Sequence, residues 1–268
     1  MDHTGERMVP AASSSSTFWE HVYRYQFAAQ FAAGKRVLDI ACGEGYGTKS
    51  LQLAGAKSAL GIDISPEACE HARQKYGIET LVGDATSIPL PDRSLDLVVS
   101  FETIEHVEAP ERFVAECRRI LSQDGWLIIS TPNLEVYNPD HDPNQNRYHC
   151  SEMSVEAFVA LLQRSFVEVR TYSQLYSKAP LFSRSGLIRI RSAWRRIPGY
   201  SRWIAGRFPG ADPQREADAR IDPPLEILRP NSWIERFFNP FLVEEYSPAA
   251  SRSPMFIVAI ARTPKAEK

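Results

Sequence analysis

The chain has 268 residues, is 43% hydrophobic and carries a formal net charge of −2. It is long enough to bury a full core, and its balanced charge gives no overall signal for nucleic-acid binding. Its four cysteines show no C-x-x-C spacing, which predicts reduced thiols in a cytoplasmic protein. No apolar run reaches the ~18 residues that a membrane span requires. Residues 1–17 are Ser-rich and lack an apolar signal-peptide core, so we expect a disordered tail there.

Strand and helix patterns alternate from residue 18 to about residue 133. The helical pattern FWEHVYRYQFAAQF is followed by a short buried strand, RVLDIA, and by a glycine-rich turn, CGEGYG. The strand SALGID precedes the helix SPEACEHARQKYG, and the strand LDLVVSF precedes the helix APERFVAECRRILSQDG and the strand WLIISTPN. Strands that alternate with helices predict a doubly wound, parallel α/β sheet.

The pattern loosens after residue 133, where a polar loop leads into the helix SVEAFVALLQRS and the strand FVEVRTY. A last apolar strand, MFIVAIAR, follows the segment 177–250, which we expect to be an inserted helical lid on the substrate side. Residues 184–207 of that segment hold seven arginines and no acidic residue, interleaved with tryptophans. This composition suits a solvated helical face, an anionic membrane or lipid-linked glycan, or the phosphates and bases of a nucleic acid.

The glycine-rich turn places Gly43, Gly45 and Gly47 after a strand and at the start of a helix. Glycine lets the backbone approach a ligand closely. Asp63 ends the next strand twenty residues after Gly43, where a carboxylate suits ribose hydroxyls. The dinucleotide fingerprint has the spacing G-x-G-x-x-G, whereas this turn reads G-x-G-x-G. The spacing therefore disfavours an NAD-dependent oxidoreductase.

Several motifs in this order resemble the class I S-adenosylmethionine-dependent methyltransferases. VLDIACGEGYG looks like their first motif, GIDIS like their ribose-binding segment, and VGDATSIPLPDRSLDLVVSFETIEHV like their adenine-side loop and fourth strand. The resemblance covers roughly residues 18–175 and returns at the last strand. It implies S-adenosylmethionine as the cofactor and a Rossmann-like, mostly parallel sheet of seven strands whose last strand is antiparallel. The implied methyltransferase domain comprises residues 18–176 and 251–264.

The resemblance also implies which residues contact the cofactor. The three glycines would approach its methionine and ribose parts, Asp63 would hold the ribose diol, and Asp84 would bind the adenine amino group. Asp39, inside the first motif, would orient the glycine turn and the cofactor amine. The full implied set is Tyr23, Arg24, Asp39, Gly43, Gly45, Gly47, Asp63, Ile64, Asp84, Ala85 and Phe101.

The stretch EHVYRYQFAAQFAAGKRVLDIACGEGYGT carries a narrower resemblance. It is similar to methyltransferases of glycan and secondary-metabolite assembly, including the methyltransferase part of enzymes that terminate bacterial O-antigen chains. In that resemblance the pair Tyr23 and Arg24 caps the cofactor. A guanidinium can bind the methionine carboxylate through two parallel hydrogen bonds. The alternative is a tyrosine in the core and an arginine on the surface.

The stretch SFETIEHV follows the fourth strand and carries two carboxylates and an imidazole. Glu102, Glu105 and His106 stand at i, i+3 and i+4, so one helical turn would bring them to one face. They follow the carboxyl end of a strand, where open α/β sheets bind ligands. Two oxygen ligands and one imidazole suit Mg²⁺ or Mn²⁺. The segment further on resembles that of the small-RNA 3′-terminal 2′-O-methyltransferases, which implies His149 as a fourth ligand.

Two other roles for these side chains stay open. His106 or His149 would act as a general base without a metal, or the carboxylates would only favour a helix N-terminus. His141 and Asp142, in the polar loop before His149, are weaker candidates that we expect to be solvated.

These features predict an S-adenosylmethionine-dependent O-methyltransferase that acts on the hydroxyl of a sugar, a glycan or a sugar-containing small molecule, assisted by a divalent metal. An N-methyltransferase on an amino sugar or another natural-product amine is the first alternative. A 2′-O-methyltransferase of an RNA end and a non-catalytic cofactor-binding module are the others. The expected location is the cytoplasm, with a peripheral position at the inner membrane face if residues 184–207 contact anionic lipid. The sequence carries no signal for an oligomeric state.

Overall fold

The computed structural model describes residues 15–142, 144–176, 241–247 and 254–264. Most of the predicted tail, 1–17, and of the predicted lid, 177–250, lies outside these residues, and so does the whole of the arginine-rich segment 184–207. The tail, the lid and the arginine-rich segment therefore stay predictions. Only residues 15–17 of the tail and 241–247 of the lid are described.

The elements follow the predicted alternation of strands and helices. The helices are α1 (Ser15–Ala29), α2 (Tyr46–Leu53), α3 (Pro66–Tyr76), α4 (Pro110–Ile120), α5 (Leu134–Tyr137) and α6 (Val155–Gln163), with a 3₁₀ turn over Ile104–His106. The strands are β1 (Arg36–Ile40), β2 (Ser58–Asp63), β3 (Glu79–Val82), β4 (Leu95–Phe101), β5 (Leu121–Pro132), β6 (Glu168–Tyr176), β7 (Phe241–Glu245) and β8 (Phe256–Arg262). Helix α1 begins three residues earlier than the aromatic pattern predicted, and it takes in the end of the predicted tail.

All described strands form one sheet in the order β3-β2-β1-β4-β5-β8-β6-β7. The first five of these strands are parallel, and β8 runs antiparallel to both of its neighbours, β5 and β6. The doubly wound, mostly parallel sheet with an antiparallel last strand is thereby confirmed. The seven predicted strands are all present, and β7, which pairs antiparallel with β6, adds an eighth at the edge.

The strand order reverses between β1 and β4, which are neighbours in the sheet although β2 and β3 separate them in the chain. In this kind of sheet, ligands bind beyond the carboxyl ends of the strands at such a switch point. Ile40 pairs with Ser100 near those ends. The glycine turn after β1 and the stretch SFETIEHV at the end of β4 therefore meet at the place where a ligand is expected.

Helix α3 shows how the local sequence positions this edge of the sheet. Ser65 caps its N-terminus by accepting a hydrogen bond from the backbone N–H of Ala68, and Pro66 occupies the first turn, where its missing N–H costs nothing. Gly77 ends the helix in the left-handed conformation that glycine favours. The helix thus begins directly after β2 and returns the chain to β3.

Two apolar clusters cover the two faces of the sheet. The first packs helices α1, α2 and α3 on the sheet and contains Tyr25 and Phe101. The second packs α4 and α6 on the opposite face and contains Phe113 and Phe158. Across the described part of the chain, no helix combines the length and the apolar character that crossing a bilayer requires.

Candidate active site

Asp63 fixes the glycine turn in place. Its two carboxylate oxygens accept hydrogen bonds from the backbone N–H of Gly43, at 2.8 Å, and from that of Ser65, at 2.9 Å. Gly43 and Gly45 have φ angles of 54° and 86°, a region that favours glycine. Each carboxylate oxygen can accept more than one hydrogen bond. Asp63 therefore retains acceptor capacity for the predicted ribose diol.

Two of the three glycines have a packing role that the sequence did not predict. A Cβ atom on Gly45 would lie 2.6 Å from the Cβ of Ala72 in α3, and a Cβ on Gly47 would overlap the ring of Tyr25 in α1. These positions need glycine because helices of the protein itself pack against them. The close approach of Gly45 and Gly47 to a cofactor stays a prediction.

Tyr25 is a site residue that the sequence analysis missed. Its hydroxyl donates a hydrogen bond to Oδ1 of Asp39 at 3.0 Å, and Thr48 donates to the other carboxylate oxygen at 2.6 Å. The Tyr25 ring meets Phe101 edge-on, with ring centroids 5.0 Å apart. Phe101 is thus packed in the core behind the turn, and the cofactor contact that the resemblance implied for it stays a prediction. The only signal for Tyr25 was the aromatic periodicity of its helix.

Burial raises the pKa of Asp39 to about 7, although the hydrogen bonds from Thr48 and Tyr25 oppose the change. The ordinary pKa of 3.8 applies to the unfolded chain, so the folded state binds the proton more tightly. The stability that Asp39 contributes is therefore fully present below about pH 4 and is lost as the pH rises through 7.

We expect the free energy of unfolding of the wild type to fall by about 3 kcal/mol more than that of Asp39→Asn between pH 5 and pH 8. Chemical denaturation at both pH values measures this difference. Asp140→Asn, in an exposed position, is the matched control and should follow the wild type. Equal pH dependence in Asp39→Asn and the wild type would contradict a buried carboxyl at this position.

Arg24 is buried, which rules out the alternative of a surface arginine. Its side chain is 1% exposed, and its Nη1 atom donates to the side-chain oxygen of Gln174 in β6 at 2.6 Å. The same nitrogen lies 3.8 Å from Oε1 of Glu102, and the guanidinium packs on the ring of Phe256. Its Nε atom has no hydrogen-bond partner among the described residues. Tyr23 is also buried, and a cofactor contact for either residue stays a prediction.

The predicted adenine side lies beyond the ends of β2 and β3. Ile64 follows Asp63 and is 73% exposed, an unusual position for a large apolar side chain next to a carboxylate that fixes a turn. Asp84 is exposed and accepts two hydrogen bonds from Thr86, which hold its pKa below the ordinary value. Ala85 beside it is half-buried. An open apolar side chain with acidic acceptors on either side fits the adenosine part of S-adenosylmethionine.

Glu102 leaves the predicted ligand set. It has a φ angle of 53°, so the chain turns directly after β4 and before the 3₁₀ turn over Ile104–His106. Its carboxylate accepts a hydrogen bond from Ser130 Oγ at 2.7 Å and faces Arg24. The predicted single helical turn would have placed Glu102 beside Glu105 and His106, and the structure corrects the set from four residues to three.

Glu105, His106 and His149 come together at the carboxyl end of β4. One ligand atom from each lies within 4.8 Å of the others. Glu105 is 1% exposed and accepts a hydrogen bond from Thr131 Oγ1 at 3.3 Å. Burial, reinforced by the negative charge of Glu102, raises its pKa well above the ordinary value.

The two histidines are held in the same tautomer by different partners. His106 Nδ1 lies 3.1 Å from the carbonyl oxygen of Tyr148, and His149 Nδ1 lies 2.8 Å from a carboxylate oxygen of Glu152. Both partners can only accept, so both Nδ1 atoms carry a proton, and in the neutral form of each ring the lone pair is on Nε2. Such an outer hydrogen bond on Nδ1 is typical of histidines that bind metals.

Backbone hydrogen bonds join the loop of His149 to the end of β4. The N–H groups of Cys150 and Ser151 both donate to the carbonyl oxygen of Glu105, at 2.8 and 3.0 Å. Ser151 Oγ also donates to the carbonyl oxygen of Val107 at 2.7 Å. These bonds bring together residues that are 44 positions apart in sequence. His141 and Asp142 are exposed in the same loop, as expected.

The corrected set of metal-ligand atoms changes which ion the site suits. Two imidazole nitrogens and one carboxylate replace the predicted two oxygens and one nitrogen. Imidazole is a ligand for transition metals, whereas Mg²⁺ prefers oxygen ligands. The three residues therefore fit Mn²⁺ better than Mg²⁺.

The strand order, the glycine turn and the acidic residue that ends β2 agree with the fold that the resemblance to class I S-adenosylmethionine-dependent methyltransferases implied. Residues 38–129 match the family model described as a methyltransferase domain. The chain is 36% identical over 168 residues to a probable S-adenosylmethionine-dependent methyltransferase of Mycolicibacterium smegmatis, which covers 62% of this chain and 65% of that protein. A probable S-adenosylmethionine-dependent methyltransferase of Mycobacterium tuberculosis is 35% identical over 170 residues, with 62% and 61% covered.

A solved structure from Thermotoga maritima, described as a possible histamine N-methyltransferase, is similar in fold with a TM-score of 0.58. It is 20% identical, with 92% of this chain and 93% of that chain covered, and at this identity the likeness concerns the fold alone. The chain spans less than two thirds of the length of the two mycobacterial relatives. The fold, the family model and the relatives support an S-adenosylmethionine-dependent methyltransferase. The names of these relatives give no support to the narrower glycan resemblance.

Proposed function

We propose that the chain transfers a methyl group from S-adenosylmethionine to a hydroxyl of a sugar, a glycan or a sugar-containing small molecule. We further propose that Glu105, His106 and His149 hold a divalent cation that assists the reaction. The observation that carries this proposal is the shared tautomer of the two histidines. In both, Nδ1 is hydrogen-bonded to an acceptor, and both histidines share a cluster with a buried carboxylate beside the switch point of the sheet.

The name of one further relative supports a hydroxyl acceptor, and the name of another states no acceptor atom. A stretch of 115 residues is 34% identical to a ubiquinone biosynthesis O-methyltransferase of Bordetella bronchiseptica, which covers 40% of this chain. A stretch of 128 residues is 31% identical to a phthiotriol/phenolphthiotriol dimycocerosates methyltransferase of Mycobacterium leprae. Methyl transfer to oxygen requires removal of the hydroxyl proton, and a cation held by Glu105 and the histidines would make that proton acidic enough for solvent to accept it.

The residues of the chain would divide the work between positioning and proton removal. Bound S-adenosylmethionine supplies an electrophilic methyl group on a sulfonium, and a bound divalent cation makes the hydroxyl that it holds more acidic. Asp63 and the glycine turn would hold the ribose, and Ile64 would pack on adenine. Glu105 and His149 would hold the acceptor end of the site, so that its oxygen faces the methyl group in line with the bond that breaks.

Removal of metal is the test of the proposed cation. We expect exhaustive chelation to lower the transfer of labelled methyl to methyl glycosides with vicinal diols by at least about 10-fold, and we expect added Mn²⁺ to restore it. Binding of S-adenosylhomocysteine, measured by calorimetry, should not change, because Asp63 and the glycine turn lie outside the cluster. Full turnover after chelation would contradict the cation and would leave His106 or His149 as a general base.

The same assay separates the alternatives. Transfer to 2-amino-2-deoxy analogues and not to the diols would favour the N-methyltransferase, which needs little base catalysis. Binding of S-adenosylhomocysteine without transfer to any acceptor would favour a non-catalytic module. Transfer to the 3′ end of a short RNA alone would favour the RNA enzyme. A cytoplasmic location is part of this proposal. So is contact of residues 184–207 with an anionic or lipid-linked acceptor, although these residues lie outside those that the structure describes.

A further inference from the structure

We infer that Glu152 is a positioning residue that fixes the tautomer and the orientation of His149. This inference rests on the proposed function for its catalytic consequence, but its structural content is independent of any cofactor. Glu152 and its partner Asn138 lie between β5 and α6, in the segment whose resemblance supplied His149, and the sequence analysis assigned a role to neither.

Both carboxylate oxygens of Glu152 accept hydrogen bonds from protein side chains. Oε1 lies 2.8 Å from Nδ1 of His149, and Oε2 accepts a hydrogen bond from Nδ2 of Asn138 at 2.8 Å. The side chains of His149 and Glu152 are 6% and 14% exposed, so water competes weakly for these bonds. A carboxylate has no proton to donate, so the proton between Glu152 and neutral His149 belongs to Nδ1.

Asn138 cannot turn to accept instead of donating. Its Oδ1 atom accepts from the backbone N–H of Asp142 at 2.8 Å, and its Nδ2 atom also donates to the carbonyl oxygen of Asp142 at 3.1 Å. A backbone N–H is always a donor, so the amide of Asn138 is fixed with Nδ2 towards Glu152. Asn138 is 4% exposed. The direction of every hydrogen bond in the series Asn138–Glu152–His149 is therefore set by the backbone.

The position of the His149 ring is fixed by further contacts. The ring of Tyr137 packs beside it, with centroids 5.1 Å apart and planes 31° apart. The ring of His106 meets it edge-on, with centroids 4.8 Å apart. His106 obtains its tautomer from a backbone carbonyl, whereas His149 obtains it from a side chain that substitution can change. Only an Nε2 lone pair on His149 can bind a cation or accept a proton, so both proposed roles depend on Glu152.

Glu152→Gln tests this inference. Glu152 accepts hydrogen bonds from His149 and from Asn138 on two oxygens, whereas glutamine has only one oxygen. Since Asn138 must donate, it takes that oxygen, and the amide NH₂ group then points at Nδ1 of His149. Nδ1 becomes an acceptor and the proton moves to Nε2. We expect ¹⁵N NMR of the His149 ring to show the proton on Nδ1 in the wild type and on Nε2 in Glu152→Gln.

The kinetic readouts follow from the same change. We expect kcat of Glu152→Gln to fall by about 10- to 100-fold, with KM for S-adenosylmethionine and affinity for S-adenosylhomocysteine within about twofold of wild type. Glu79→Gln, at the exposed start of the edge strand β3, is the matched control and should change neither tautomer nor kcat. An unchanged tautomer in Glu152→Gln would overturn the inference.

The wild-type spectrum is a second test that needs no variant. A proton on Nε2 of His149 in the wild-type protein would overturn the inference even if Glu152→Gln did not fold. Failure of the proposed function gives a different result. The protein would then transfer no methyl group, while the tautomer of His149 would still differ between the wild type and Glu152→Gln.

Discussion

Glu105→Gln is expected to lower kcat for methyl transfer by about 100-fold or more, because it removes the only carboxylate of the three-residue cluster. The substitution keeps the shape of the side chain and an acceptor for Thr131. Affinity for S-adenosylhomocysteine, measured by calorimetry, should stay within about twofold of wild type, since the cofactor residues lie at the ends of β1, β2 and β3.

The same variant should not lose stability. Burial and the nearby charge of Glu102 raise the pKa of Glu105, which means that the folded protein holds the ionised group at a cost in free energy. A neutral glutamine removes that cost, so the melting temperature should stay equal or rise. Glu108→Gln, at an exposed position three residues later, is the control and should leave kcat unchanged. Wild-type turnover in Glu105→Gln would contradict any catalytic role for the cluster.

Gly47→Ala is expected to destabilise the protein by about 1–3 kcal/mol and to weaken binding of S-adenosylhomocysteine. Gly47 lies within α2, where alanine would ordinarily be favoured over glycine by about 1 kcal/mol. The sign reverses because the new Cβ would overlap the Tyr25 ring and displace it from Asp39. Urea denaturation measures the first effect and calorimetry measures the second.

A double-mutant cycle isolates the cause of that effect. In a Tyr25→Ala background the ring is absent, so Gly47→Ala should become neutral or stabilising, as helix propensity predicts. The same loss of stability in both backgrounds would show that the tyrosine ring is not the obstacle. Gly34→Ala is a useful comparison, because Gly34 has a φ of 71° and open space around its Cα, so its cost comes from the backbone alone.

The sequence was sufficient for the fold because its signals are local and repeated. Apolar strands, the glycine turn and helix caps such as Ser65 occur in an order that permits few arrangements. The edge strand β7 could not be predicted in the same way. Its residues, Phe241–Glu245, follow a long segment without clear periodicity, and their role depends on pairing with β6.

The site was predicted less completely because it depends on backbone direction. The spacing of Glu102, Glu105 and His106 assumed a full α-helical turn, but the chain reverses at Glu102 and forms only a 3₁₀ turn. The glycine motif was recognised, but the sequence could not show that α1 and α3 fill the space beside Gly45 and Gly47. The resemblance supplied His149, and only the structure supplied its partner, Glu152.

The pairing of β6 with β7 has a consequence for how far the chain tolerates changes in length. Tyr176 and Phe241 are register partners, so the chain leaves the sheet at one residue and re-enters it at the residue opposite. β6 runs parallel to β5, which puts this exit on the side of the sheet where the proposed active site lies. The entropy of closing a loop grows only slowly with its length. A change in the length of the chain between these two residues therefore costs little free energy and leaves the strand register unchanged.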